Sequence, residues 1–145
     1  MTRVIGLDHG SKRIGVAVGD TETGIAFARP AVRTRSASSG ADAVKRLADD
    51  EGSVTVVLGL PYRVDGSEGR QAAVVRAFGE RLGRIGLTVV YEDERLSSWA
   101  AHEGLSEQGR RPSRESGEVD SAAARLILQQ YLDARPSPGL PEETT

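Results

Sequence analysis

At 145 residues without a cysteine, the chain is sized for one domain around one core, and disulfides, zinc–thiolate centres and thiol catalysis are excluded. A hydrophobic fraction of 38% and a charged fraction of 28% are ordinary for a globular fold, and no apolar run approaches the ~20 residues that cross a bilayer. The net charge of −2 argues against a uniformly basic nucleic-acid coat, so any cationic surface has to be local.

Residues 3–8 read as a strand, with Ile5 and Leu7 on one face and Val4, Gly6 and Asp8 on the other. Gly6 leaves room for something to approach Asp8 along that face. The run from Val4 to Leu7 is too short for a signal-peptide core and ends in a charge, so a reducing cytosol is the expected compartment. Residues 9–12 form a polar turn. Residues 13–19 form a second strand that alternates Ile14, Val16 and Val18 against Gly15 and Ala17, which predicts a hairpin with one bulky and one small face.

A third strand is expected over residues 25–32, with Pro30 confining it to an edge or marking a bulge. Residues 40–51 show helical spacing at Ala41, Val44, Leu47 and Ala48. Residues 54–58 are a continuous apolar run of the kind buried in a parallel sheet. Residues 67–84 make a helix with Ser67 as N-cap and a stripe of Val74, Val75, Phe78, Leu82 and Ile85. Residues 87–91 form another buried strand that runs into Glu92-Asp93-Glu94-Arg95.

A short helix at 97–103 and a Gly-, Ser- and Arg-rich loop at 104–117 follow. The last helix spans 118–134, with Val119, Ala122, Ala123, Leu126, Ile127 and Tyr131 on one face. Residues 135–145 read as a disordered tail, which leaves one domain over 1–134. The order implies an α/β fold: a mixed five-stranded sheet, an antiparallel meander followed by parallel strands, with helices on both faces.

Three acids stand where such sheets gather ligands: Asp8 at the end of the first strand, Glu94 just past the last, and Asp120 opening the last helix. Each alone has an ordinary reading, as a turn residue, a surface ion-pair partner or an acid complementing a helix dipole. Together they would repel one another unless a cation lies between them. An all-oxygen set without His or Cys suits Mg2+ or Mn2+, the ions that support phosphodiester hydrolysis.

Around these acids, Lys12, Arg13, Arg63, Arg70, Arg95, Arg110, Arg111 and Arg114 fall in or beside predicted loops and are candidate contacts to nucleic-acid phosphates. Arg13 and Arg95 have a competing role as partners of the neighbouring acids. Arg63 and Arg70 flank a helix N-terminus, a natural anion site. His9 is a turn residue or a proton carrier beside the metal. Trp99 is a core residue or a platform for an unpaired base.

Four separated motifs in one short chain are specific. Asp8-His9-Gly10-Ser11-Lys12-Arg13-Ile14-Gly15, Gly59-Leu60-Pro61 with Asp65-Gly66, Asp93-Glu94-Arg95-Leu96, and Val119-Asp120 with Ile127-Leu128-Gln129 together resemble the YqgF, or RuvX-like, family over residues 4–133. The resemblance implies a ribonuclease H-like fold related to RuvC resolvases. It also implies metal-dependent nuclease activity, on the precursor of small-subunit ribosomal RNA ahead of branched DNA. It maps the acidic triad onto Asp8, Glu94 and Asp120, with Asp93 as the ambiguous neighbour. The chain would act as a monomer or a homodimer, the latter if it resolves junctions. This sequence departs from the family pattern at His9, where an aromatic is common, at Ser97 and Ser98 in place of threonines, and at Glu118, where a basic residue is expected.

Two other readings compete. Asp-x-Gly-x-x-x-x-Gly also resembles the first phosphate loop of actin-like ATPases and sugar kinases, which need two such domains. A ribosomal-RNA maturation factor that binds without cutting is the other, and the intact acidic set counts against it.

Overall fold

The computed structural model describes residues 2–94 and 118–134, with the side chains of residues 37 and 118–120 excepted. The first strand, β1 (Arg3–His9), pairs antiparallel with β2 (Arg13–Asp20), with Asp8 opposite Gly15. The Gly10 N–H donates to the Arg13 carbonyl at 2.9 Å and closes the turn between them.

β3 (Ala26–Arg33) lies on the outer edge against β2, where Pro30 interrupts no inner ladder. Ile14 pairs with Val32 and Val16 with Arg29, so Gly15 alone faces the two residues Pro30 and Ala31. This is the bulge that the proline foreshadowed.

Two crossovers then add parallel strands on the other side of β1. Helix α1 (Ala37–Glu51) leads to β4 (Thr55–Leu60), and α2 (Arg70–Arg84) leads to β5 (Thr88–Asp93). The sheet order is β3-β2-β1-β4-β5. A third helix, α3 (Glu118–Asp133), packs on β1, β2 and β3.

The strand alternation of the sequence becomes two cores. Ile5, Leu7, Ile14, Val16 and Leu58 face α1 and α2, packing on Val44, Ala48, Val75, Phe78 and Leu82. Val4, Ala17 and Val57 face α3 and meet Ala124, Ile127, Leu128 and Leu132.

Several local expectations shift. α1 begins three residues earlier than its apolar spacing suggests. Ser36 and Ser39 form a reciprocal capping box there, with serine in the place usually held by Glu or Gln. Ser67 is not the cap of α2. It is held in an Asx turn by Asp65, whose Oδ1 accepts from the Ser67 amide at 2.9 Å and its hydroxyl at 2.6 Å, and the helix starts after Gly69. Val54 and Val74 are exposed rather than packed, and Ala72 takes the buried position in the first turn of α2.

The α3 face is rotated from the expected one. Ala124, Leu128 and Leu132 form its central line, while Ala122, Leu126 and Tyr131 are only half-buried. The short helix 97–103, the loop 104–117 and the tail 135–145 lie outside the described residues, as do Arg95, Trp99, Arg110, Arg111 and Arg114. No helix among the described residues is long and apolar enough to cross a membrane.

Candidate active site at the carboxyl edge of the sheet

β1, β4 and β5 run parallel and end together, so their carboxyl ends make one edge. Asp8 stands on the α3 face of β1. β5 alternates Val89 and Tyr91 toward α1 and α2 with Val90 toward α3, and Glu92 follows Val90, accepting from Gln130 of α3 at 2.6 Å. Glu94 continues that face. Its N–H donates to the Leu60 carbonyl at 3.3 Å, extending the β4–β5 pairing by one residue.

The result is that the Asp8 and Glu94 carboxyl groups meet within hydrogen-bonding distance across the end of β4. Glu94, not Asp93, is therefore the member of the acidic pair that faces Asp8, as strand alternation requires.

Space for this meeting comes from β4. A Cβ on Gly59 would lie 2.5 Å from Ile127 Cδ1 and 2.8 Å from Glu94 Oε2. The absent side chain is the cradle in which the Glu94 carboxyl rests. Burial pushes the Glu94 carboxyl above its ordinary range. The hydrogen bond with Asp8 lowers it in part, and the negative charge of Asp93 raises it further. Two half-buried carboxyls this close share a proton or a cation.

The room beside Gly6 is filled by protein. A Cβ there would meet Leu128 Cβ at 2.6 Å and the Ala124 carbonyl at 2.9 Å, so Gly6 admits α3 itself rather than a ligand. α3 runs antiparallel to β1. Leu132 lies over Gly19, Leu128 over Gly19 and Gly6, and Ala124 over Gly6. Nearer its start, the Ser121 hydroxyl donates to the Arg29 carbonyl at 2.7 Å and accepts from the Val16 amide at 3.4 Å. Val16 pairs with Leu7, one residue before Asp8. The backbone of Asp120 therefore enters α3 level with the acid pair, one turn before Ala124 on the same helix line. Among the described residues no three acidic or histidine side chains gather as a group, and the Asp120 side chain lies outside them.

The basic residues are dispersed. Lys12 is exposed on the hairpin turn, and Arg13 is half-buried with no acidic partner among the described residues, so its expected pairing with Asp93 or Glu94 is not formed. Arg63 and Arg70 sit at the start of α2, and the Arg63 guanidinium covers Gly69, where a Cβ would lie 2.7 Å from its Nε. His9 points away from the acids. It lies on the opposite face of β1, 4.6 Å from the Phe78 ring between centroids, so it is no proton carrier beside Asp8. Burial holds its imidazole below the ordinary value.

Comparison with known proteins now bears on this arrangement. Residues 2–134 match the profile of the RuvX family, described as Holliday junction resolvase. The chain belongs to that family. A RuvX relative from Thermosynechococcus vestitus, provisionally named a pre-16S rRNA nuclease, is 41% identical over 136 residues, 93% of this chain and 90% of its own. A relative with the same name from Citrobacter koseri is 38% identical over 131 residues, 90% of this chain and 95% of its own.

Thermus thermophilus RuvC in complex with a Holliday junction substrate superposes with a TM-score of 0.57 at 15% identity, over 92% of this chain and 98% of that one. The fowlpox virus Holliday junction resolvase gives 0.54 at 10% identity, over 92% and 99%. At these identities the two structures establish the ribonuclease H-like fold. For a RuvX chain, two positioning features escaped the sequence reading. Gly59 stands in the Gly59-Leu60-Pro61 motif, and a glycine in an otherwise β-branched strand is itself a signal of close approach. Ser121 gave no signal at all.

Proposed function

We propose that this chain is a divalent-metal-dependent nuclease that hydrolyses phosphodiester bonds in the precursor of small-subunit ribosomal RNA, with Asp8, Glu94 and Asp120 as the metal-holding set. The observation that carries it is the meeting of Asp8 and Glu94 at the carboxyl edge. Buried like charges are unfavourable for pure phosphate binding, but a hard cation reconciles them with both each other and a phosphate. The donors are all oxygens, which fits Mg2+ or Mn2+. The helix register described above supports Asp120 as the third donor.

When bound, such an ion supplies Lewis-acid stabilisation and a more acidic water. The protein's own part is positional. β1 and β5 fix the two carboxylates on rigid strands, Gly59 gives Glu94 its space, and Ser121 anchors the helix that carries Asp120. Lys12, Arg13, Arg63, Arg70, Arg95, Arg110, Arg111 and Arg114 are proposed as phosphate contacts around that edge.

The names of the T. vestitus and C. koseri relatives favour ribosomal RNA. The family description favours a second reading, resolution of four-way DNA junctions in recombination. A cleavage panel separates them: labelled precursor ribosomal RNA, single-stranded RNA, duplex DNA and a four-way junction, each with Mn2+, with Mg2+ and with chelator. Metal-dependent cutting of the RNA substrates is expected. Cutting of the junction alone would establish the second reading, and no cutting with binding intact in chelator would leave a non-catalytic maturation factor.

A linked prediction concerns pH. Because the folded state raises the Glu94 pKa, it holds that proton more tightly than the unfolded chain. This contribution to stability is present at low pH and is lost as pH rises through the folded value. A divalent ion held by Asp8 and Glu94 would compete with that proton. The rise in melting temperature caused by Mn2+ is therefore expected to be larger at pH 8 than at pH 5. Equal shifts at both would separate the ion from the Glu94 carboxyl.

A further inference from the structure

On the other face of β1, directly behind the acid pair, lies a groove of about 410 Å³ that neither the proposed chemistry nor the expected phosphate contacts use. Its walls come from three elements. The hairpin turn gives His9, Gly10 and Ser11. The start of α1 gives Arg35 and Ser36. The last turns of α2 give Arg81 and Arg84, above an apolar floor that includes Phe78.

Among the described residues no acidic side chain lines this groove. None of the three arginines has an acidic partner among the described residues, and the Arg84 guanidinium donates from Nε to the Glu80 carbonyl at 3.4 Å. Arg81 and Arg84 at the C-terminal end of α2 have an ordinary explanation, complementing the helix dipole. Arg35 has none. It immediately precedes the N-cap of α1, at the positive end of a 15-residue helix, where a cation is electrostatically misplaced unless an anion sits beside it. The buried His9 Nδ1 in the same wall has no hydrogen-bond partner among the described residues.

We infer that this groove holds one nucleotide of the substrate strand, its phosphate between Arg35 and the Arg81–Arg84 pair and its base or ribose on the apolar floor. The volume falls within the range of small-molecule sites, and an apolar floor under a cationic rim suits a nucleotide better than a bare inorganic anion. The location favours a polynucleotide. His9 follows Asp8 in the chain, so the groove opens at the same end of β1 as the acid pair but on the other face of the sheet, around the exposed turn that carries Lys12. A strand crossing the sheet edge at the acids reaches the groove within a nucleotide or two. This inference rests on the proposed action on nucleic acid but not on cleavage.

The test is anisotropy of a labelled single-stranded RNA bound to the full chain in chelator, across a salt series, with free nucleoside monophosphate as a competitor. In Arg81→Gln/Arg84→Gln the RNA should bind roughly tenfold more weakly, the loss expected for one charge-assisted contact. Its log–log salt dependence should be shallower by about 0.7, the value for one phosphate contact on a single strand. Arg35→Gln, on the opposite wall and outside α2, should show the same direction of change, which separates the effect from any weakening of the α2 terminus.

Wild-type affinity and salt slope in both variants would overturn the inference. So would protection of the wild-type groove by mononucleotide without any RNA binding, which would make the ligand a free nucleotide. Neither result depends on metal-dependent cutting, so failure here is distinguishable from failure of the nuclease reading.

Discussion

Asp8→Asn and Glu94→Gln are each expected to lower Mn2+-dependent cleavage by at least about a thousandfold while the protein stays folded. A bound metal contributes several kcal/mol to transition-state charge stabilisation, and ~4 kcal/mol corresponds to that factor. Both residues sit on strand ends fixed by backbone pairing, so the neutral isosteres leave the fold intact. Each also removes one member of a close carboxyl pair, so the metal-free melting temperature should stay level or rise. Asp120→Asn is expected to match their loss of activity. Asp93→Asn, on the other side of the β5 alternation, should keep activity close to wild type. Cleavage assays paired with thermal melts check all four, and a folded Asp8 or Glu94 variant within tenfold of wild-type activity would remove that residue from the site.

The fold was legible because its periodicities are unambiguous. Ile14, Val16 and Val18 against Gly15 and Ala17 specify a two-sided strand, and both sides turned out to be buried against different helices. Pro30 predicted the edge position of β3 and its bulge. What failed was local. Ser67 precedes an apolar periodic run, but Asp65 two residues earlier competes for its amide and draws it into a turn. Ser36 at the start of α1 was missed because its capping partner is Ser39 rather than an acid. The α3 stripe was misplaced because Ala and Leu occur all around that helix. The glycines opposite, Gly6 and Gly19, decide which line docks closest.

The site was half legible. Strand ends pointed to Asp8 and Glu94, and alternation allowed only one of Asp93 and Glu94 to face Asp8; the structure shows that it is Glu94. His9 was drawn toward the acids by adjacency in the chain, yet the same alternation sends it to the opposite face, against Phe78. The arginines of the α1–α2 groove were invisible because Arg35 lies 46 residues before Arg81, while Arg81 and Arg84 together have an innocent reading at a helix C-terminus. Only the crossover topology brings them together.

Two alanine substitutions should separate fold from chemistry. At Gly6 a methyl group would lie 2.6 Å from Leu128 Cβ and 2.9 Å from the Ala124 carbonyl. These atoms belong to a packed helix and cannot move alone, so α3 must lift from the sheet. Gly6→Ala is expected to destabilise by roughly 3 kcal/mol, the upper part of the range for overpacking. At Gly59 the clashing atoms are side-chain ends, Ile127 Cδ1 at 2.5 Å and Glu94 Oε2 at 2.8 Å, which rotate away at small cost. Gly59→Ala should therefore melt close to wild type. However, it moves the Glu94 carboxyl off its place beside Asp8, and a misplacement of ~1 Å at a reacting centre can cost about a hundredfold in rate. Urea unfolding and Mn2+-dependent cleavage measured on both variants decide the matter. If Gly59→Ala cuts at the wild-type rate, the position of Glu94 is not what the chemistry depends on.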